Sequence, residues 1–201
     1  MLTLKRFTIV ATLLGLLTAS GAAVAWGPSW HERGHSRYSR SDGNPGPAHP
    51  LSQALPNREL TPGATNPAVT QATIHSTICV RGYTRSIRPP EKYTARLKRR
   101  QIREYGYLDR KAWHYEEDHL IGLEIGGSPT SPQNLWPEPR NVQGGWGSDT
   151  KDQLENRLNH LVCRGKMPLE EAQRMIASNW VAAYKRLISP TPLAYDPQDR
   201  Y

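Results

Sequence analysis

The sequence is poor in the usual material of a core, with a single Phe, two Cys and three Met among 201 residues. Any core must therefore lean on six Trp and nine Tyr, amphipathic rings whose polar ends need partners. Two cysteines alone cannot make the usual four-ligand zinc site. Hydrophobic residues reach 37%, below the roughly 45–50% (glycine included) of ordinary globular domains but not low enough for a wholly disordered chain. A multi-pass membrane protein, a coiled coil and a large two-domain enzyme are excluded. Glycine (16) and proline (17) exceed what a compact domain of this length needs, so a floppy segment accompanies one small domain.

Acidic residues are also in deficit, at 18 Asp and Glu against 26 Lys and Arg, a formal charge of +8. This balance favours polyanionic partners. Lys5 and Arg6 precede an apolar run from Phe7 to Leu17, and Ala23-Val24-Ala25 fits the small-x-small cleavage pattern of an export signal. Thr8, Thr12, Thr18, Ser20 and Gly21 dilute the segment against the competing reading, an uncleaved anchor. With residues 1–25 removed, 24 basic and 18 acidic residues leave +6, and no stable membrane insertion is expected. The mature protein is expected in the periplasm or medium. In that oxidising compartment Cys79 and Cys163 are expected to pair.

Residues 26–68 show little apolar periodicity and read as a disordered Gly/Pro/Arg-rich linker, in which His31, His35 and His49 could bind metal but fit solvated side chains better. Residues 69–188 read as the folded domain, and 189–201 as a tail. Val69 to Val80 reads as one or two short strands. Glu91 to Tyr105 reads as a helix with Tyr93, Leu97 and Gln101 on one side. Arg96, Lys98, Arg99, Arg100 and Arg103 occupy its other positions. From Arg81 to Lys111 there are eleven basic residues against Glu91, Glu104 and Asp109, an excess of eight, so the rest of the mature chain is −2. A solvated helix face and a phosphate-contacting surface both fit this run. Trp113 to Glu117 reads as a strand, and Gly126-Gly127-Ser128-Pro129 as a turn. Asn134-Leu135-Trp136 reads as a return segment stopped by prolines. Asp149 to Cys163 reads as a helix with Leu154, Leu158 and Leu161 on one face. A last helix follows Pro168, with Leu169, Ala172, Ile176, Trp180, Ala183 and Leu187 as its stripe.

The chemistry concentrates in Glu116-Glu117-Asp118-His119-Leu120-Ile121-Gly122-Leu123-Glu124-Ile125-Gly126-Gly127, followed by Asn134-Leu135-Trp136-Pro137-Glu138. This resembles the HNH family of nucleases, which have the ββα-metal (His-Me finger) fold, and more narrowly exported bacterial proteins with an EDH…GG…NLWPEP core. The resemblance is specific from Tyr115 to Glu138 and looser from Cys163 to Tyr184. It implies an α+β fold with a small hairpin-helix core, flanking helices and one disulfide. It also implies His119 as general base, Asp118 as metal ligand and Asn134 as the residue orienting His119. The residue types suit phosphodiester cleavage. A histidine can take a proton from water near neutral pH, and a carboxylate can hold a hard divalent cation that stabilises developing oxyanions. Mg²⁺ suits such oxygen ligands best, with Mn²⁺ or Zn²⁺ as alternatives.

The departure comes at the third metal position, where the family usually has His on the helix after the hairpin. Pro137 and Pro139 displace that helix, and His160 is expected to point to solvent. Glu155, then Asp152, then Asn141 are the candidate oxygen donors, while Lys151 could contact phosphate without metal. His114 and His119 are five apart with the acids between them, so a helical zinc-protease motif is excluded. Trp136 and Trp146 fit a core better than base stacking. The expectation is an exported metal-dependent nuclease acting on DNA or RNA. Its rivals are a non-catalytic polyanion- or nucleic-acid-binding protein on a degenerate HNH scaffold and a structural module of the envelope. Neither an inhibitor protein nor an oligomeric state is legible.

Overall fold

A computed structural model describes residues 46–189. The expected signal, the first part of the linker and nearly all of the C-terminal tail lie outside these residues. The described chain is mixed α+β. In order it runs α1 (Tyr83–Ile87), α2 (Glu91–Glu104), β1 (Tyr115–His119), β2 (Leu135–Pro139), α3 (Ser148–Cys163) and α4 (Leu169–Leu187), with short 3-10 turns between. Among the described residues no helix is long and apolar enough to cross a membrane.

Each helix has a local cause. Pro90 precedes α2 with extended backbone, Glu91 lies in its first turn, Arg103 lies in its last, and Gly106 follows at φ 67°. Leu97, Gln101 and Ile102 are buried along it, and so is Lys98. In α3 the buried positions Lys151, Leu154, Glu155, Leu158 and Val162 recur at helical spacing. Leu161 stays half-buried, so the apolar face turns one residue beyond the expected stripe. Pro168 stands immediately before α4, and Leu169, Ala172, Ile176, Trp180 and Ala183 are buried as expected. Asn179 interrupts α4 with φ −167° and ψ 91°. Its side-chain oxygen accepts from the Ala182 N–H at 2.9 Å, recapping the second half of the helix.

Strands β1 and β2 pair antiparallel, with Asp118 opposite Trp136 and His119 opposite Leu135. The connection folds back through a 3-10 turn at Leu123–Ile125. Gly126 adopts φ 79°, and a Cβ on Gly127 would lie 1.7 Å from the Ile121 carbonyl oxygen. That close approach is the physical reason for the Gly-Gly pair. Helices α3 and α4 enclose the main core with Val69, Ile74, Ile78, Ile121 and Ile125. A smaller cluster joins Ile102, Tyr107 and Tyr115 beneath α2. Trp136 is fully buried, and Trp146 meets Trp180 edge-on with centroids 6.0 Å apart. Both tryptophans therefore serve packing.

Two expectations change. Residues 46–68 are not a free linker along their described length. His49, Ala54 and Thr61 are buried, and the Trp180 indole N–H donates to the Ala54 carbonyl at 2.7 Å. Backbone bonds fasten the segment, from Gly63 N–H to Gln133 O at 2.9 Å and from Asn66 N–H to Gly126 O at 2.8 Å. Irregular backbone held by main-chain bonds leaves no apolar period to detect. Nor is Val69 to Val80 a pair of strands. It forms turns around a 3-10 segment at Ile74–Ser76, because the Thr73 hydroxyl donates to the Ala68 carbonyl and accepts from the Thr70 N–H.

The expected Cys79–Cys163 disulfide is present, with Cα atoms 5.6 Å apart and 84 residues between them in sequence. Closing such a loop restricts the unfolded chain by about 4–5 kcal/mol in the chain-entropy account. Reduction of the folded protein should therefore lower Tm by about 10 °C, read by calorimetry with and without reductant. A shift of only a degree or two would show that the bond contributes little.

Candidate functional site

Where the hairpin meets α3, one buried cation organises the motif. Lys151 is fully buried, and its Nζ donates to Asp118 Oδ2 at 2.6 Å, to the His119 carbonyl at 2.7 Å and to Glu155 Oε1. Three acceptors match the three hydrogens of an ammonium. Glu155 lies one helical turn after Lys151, and its carboxylate is pressed against Gly122, where a Cβ would come within 2.3 Å of Oε2. Glu138, opposite Glu116 across the hairpin, is also buried near Asp118, and neither of its carboxylate oxygens has a hydrogen-bond partner. Two ionised carboxylates this near each other would repel in a buried setting, which favours a proton on one of them.

Electrostatics decide which one. Burial would raise the Asp118 carboxyl, but the Lys151 ammonium beside it holds it well below the usual range. Burial pushes Glu138 well above its ordinary value, with Asp118 adding to the effect. Glu138 is thus the protonated partner and Asp118 the ionised one. Burial also raises Glu155. It would lower Lys151, but Asp118 and Glu155 outweigh it and hold Lys151 well above the usual lysine range.

His119 is buried at the end of β1, and its Nε2 lies 3.0 Å from the Pro129 carbonyl. That oxygen can only accept, so Nε2 carries the hydrogen and Nδ1 the lone pair. Burial lowers its pKa, which favours the neutral ring. Asn134 does not bond this ring. Its amide donates to Ile121 O and Ser128 O, each at 3.0 Å, and its oxygen accepts from Ile121 N–H at 3.0 Å. It therefore holds the loop whose next residue, Pro129, fixes the imidazole. The expected orienting role is indirect.

The divalent cation expected from the resemblance would have to share this donor set with Lys151. Asp118 and Glu155, two of its expected ligands, both point at the Lys151 ammonium, as does the His119 carbonyl. A divalent ion there would lie against a buried positive charge, so the residues present do not fit one while Lys151 keeps this place. Asp152 lies on the exposed flank of α3, and the Asn141 side chain is engaged with the Gly46 carbonyl at 3.0 Å.

Two residues expected to touch phosphate are turned inward. Lys151 is the buried cation just described, and Lys98 donates to the Tyr115 carbonyl at 3.0 Å. Arg96, Arg99, Arg100 and Arg103 are exposed along α2. The Tyr93 hydroxyl donates to Thr130 O at 2.5 Å and Gln101 to Leu135 O at 2.7 Å, which seats α2 against the loop carrying Pro129. The positive charge of exposed Arg88 also reaches His119. Glu138 and Gly122 were given no role from the sequence. The one available signal was the i, i+4 spacing of Lys151 and Glu155, a helical ion-pair distance.

Lys151→Met should destabilise the fold by about 3–5 kcal/mol, because it leaves half-buried Asp118 and buried Glu155 without their cation. Adding Asp118→Asn should recover part of that loss, a coupling measurable by denaturant unfolding of the single and double variants; strict additivity would contradict it. Burial pushes the Glu117 carboxyl from 4.5 up to about 9, and neither of its buried oxygens has a hydrogen-bond partner. The folded state thus keeps a proton that the unfolded chain releases. Stability from this group is full below about pH 4.5 and falls as pH rises toward 9. Glu117→Gln should therefore gain on the parent protein with rising pH, by on the order of 1–3 kcal/mol at pH 8; a gain that does not vary with pH would count against it. No protein-family model matches the chain, and neither the curated proteins nor the solved structures contain a significant match.

Proposed function

We propose that this chain is an exported nucleic-acid-binding protein. In it a lysine ammonium stands where the resembling nucleases hold a catalytic metal ion, and the exposed arginines of α2 contact phosphates. The observation that carries the reading is the complete satisfaction of Lys151 by Asp118, Glu155 and the His119 carbonyl. That arrangement turns the hairpin-helix junction into a structural ion pair. The basic stretch supports the binding half of the reading. Arg88, Arg96, Arg99, Arg100 and Arg103 are exposed around α2, a concentration of charge that suits a phosphate backbone. Export rests on the apolar N-terminal run with its cleavage pattern, and the disulfide is compatible with it.

A second reading, metal-dependent phosphodiester hydrolysis with His119 as base, has one observation in its favour. The His119 ring is kept neutral beside an ionised Asp118, the protonation state a general base needs.

Fluorescence anisotropy with labelled DNA and RNA oligonucleotides separates the two. Binding should weaken steeply with salt, survive His119→Ala, and require no Mg²⁺. Replacing Arg96, Arg99 and Arg103 together with Gln should flatten the log Kd against log salt slope by about 2–3. Absence of salt-dependent binding would sink the proposal. Cleavage that requires Mg²⁺ or Mn²⁺ and vanishes in His119→Ala would establish the second reading instead.

A further inference from the structure

Away from the hairpin-helix junction, three side chains from two distant parts of the sequence converge beside the loop that leads into β1. His49, Asp109 and His114 form a group in which one ligand atom from each lies within 4.8 Å of the others. His114 Nδ1 contacts Asp109 Oδ2 directly, and His49 Nε2 lies 3.8 Å from the same oxygen. His49 and His114 are buried, while the Asp109 side chain is 20% exposed.

The decisive feature is the state of His49. Its Nδ1 lies 2.9 Å from Gln53 Oε1, an amide oxygen that can only accept. Nδ1 therefore carries the hydrogen, and in the neutral ring Nε2 presents its lone pair. That Nε2 is buried, has no hydrogen-bond partner, and faces a carboxylate oxygen. Two electron-rich atoms aimed at each other across a gap call for a cation between them. The surroundings suit a metal centre. Gln53 fixes the His49 tautomer from behind, and the Lys111 N–H donates to Asp109 Oδ1 at 2.9 Å. The Tyr115 hydroxyl anchors the Asp109 carbonyl at 3.0 Å. Gly46 lies so close over the His114 ring that a Cβ there would fall 2.5 Å from Cδ2.

We infer that His49, Asp109 and His114 form a transition-metal site, with Zn²⁺ the best fit, completed by a solvent ligand on the exposed side of Asp109. Two imidazoles and one carboxylate are a ligand set for Zn²⁺, with bonds near 2.0–2.2 Å and ligand atoms therefore about 3.3 Å apart. The observed 3.8 Å separation approaches that value, and the Asp109–His114 contact opens to it by about 1 Å. The ion clamps the segment around His49 onto the loop preceding β1, across sixty residues of sequence. The site is independent of Lys151 and of the nucleic-acid reading.

The test uses the oxidised full chain without a polyhistidine tag. Co²⁺ titration should give the visible absorption bands of a four-coordinate site, saturating at one ion per chain and bleached by Zn²⁺. Zn²⁺ should also raise Tm by several degrees. His49→Ala and Asp109→Asn should each abolish both signals, with far-UV circular dichroism reporting folding. If one variant fails to fold, the other decides. His160→Ala and the double variant His31→Ala, His35→Ala should leave both signals intact. Absence of Co²⁺ bands and of any Zn²⁺ effect on Tm would overturn the inference and leave a proton-sharing His–Asp–His cluster. So would binding that survives His49→Ala but is lost in Asp118→Asn or in the N-terminal double variant.

Discussion

The hairpin-helix junction depends on one buried ion pair with its attendant acceptors. Lys151 reaches from α3 to the last turn of β1, grips Asp118 and the His119 carbonyl, and is gripped in turn by Glu155 from its own helix. Removing a charge from water is expensive, so such a cation is stable only when every hydrogen finds an acceptor. Here every one does. The consequence spreads outward. Gly122 must lack a side chain so that Glu155 can lie against the backbone. Glu138 holds its proton because burial, with the neighbouring Asp118 charge, disfavours its ionised form. The loop from Gly122 to Asn134 is fixed at both ends by the same packing.

The same constraint bears on the chemistry expected from the motif. An Asp-His pair at the end of a strand, backed by an acidic helix, is a reasonable cradle for a divalent ion. A lysine of the right reach, entering from the helix, satisfies the same oxygens. It brings a single positive charge on a fixed tether, and so suits structural support better than stabilisation of a transferring phosphoryl group. The histidine and the basic helix remain. Positive charge lies on the exposed side of α2, while the buried side of the motif is held by the Lys151 ion pair.

Much of this architecture was legible in advance because it follows local rules. The stripe of α4, the ends of α2 and α3 and the Gly-Gly turn all reflect periodicity, breakers or backbone room, whereas the strands shift from the expected bounds, β1 starting at Tyr115 after a 3-10 turn and β2 running on through Pro137 and Pro139. The pairing of Cys79 with Cys163 followed from an even count in an export context. What escaped was set by partners distant in sequence. Residues 46–68 carry no periodic signal, yet the carbonyl of Ala54 receives Trp180 and the His49 backbone pairs beside Val142. Thr70 and Thr73 look like strand residues, but their hydroxyls bond nearby backbone and make turns.

The sequence by itself determined which residue types stand together: the Asp118-His119 pair, the Asn134 after the Gly-Gly turn, and the run of arginines in α2. Composition and spacing suffice for that, because residue type and local geometry are written in neighbouring positions. Only the tertiary structure decided what each group faces. It turned Lys98 and Lys151 inward, aimed the orienting carbonyl of Pro129 rather than Asn134 at His119, and brought His49 beside Asp109 and His114. The physical reason is that the cost of an unpaired buried charge or polar atom depends on every element packed around it, and no stretch of local sequence contains that sum.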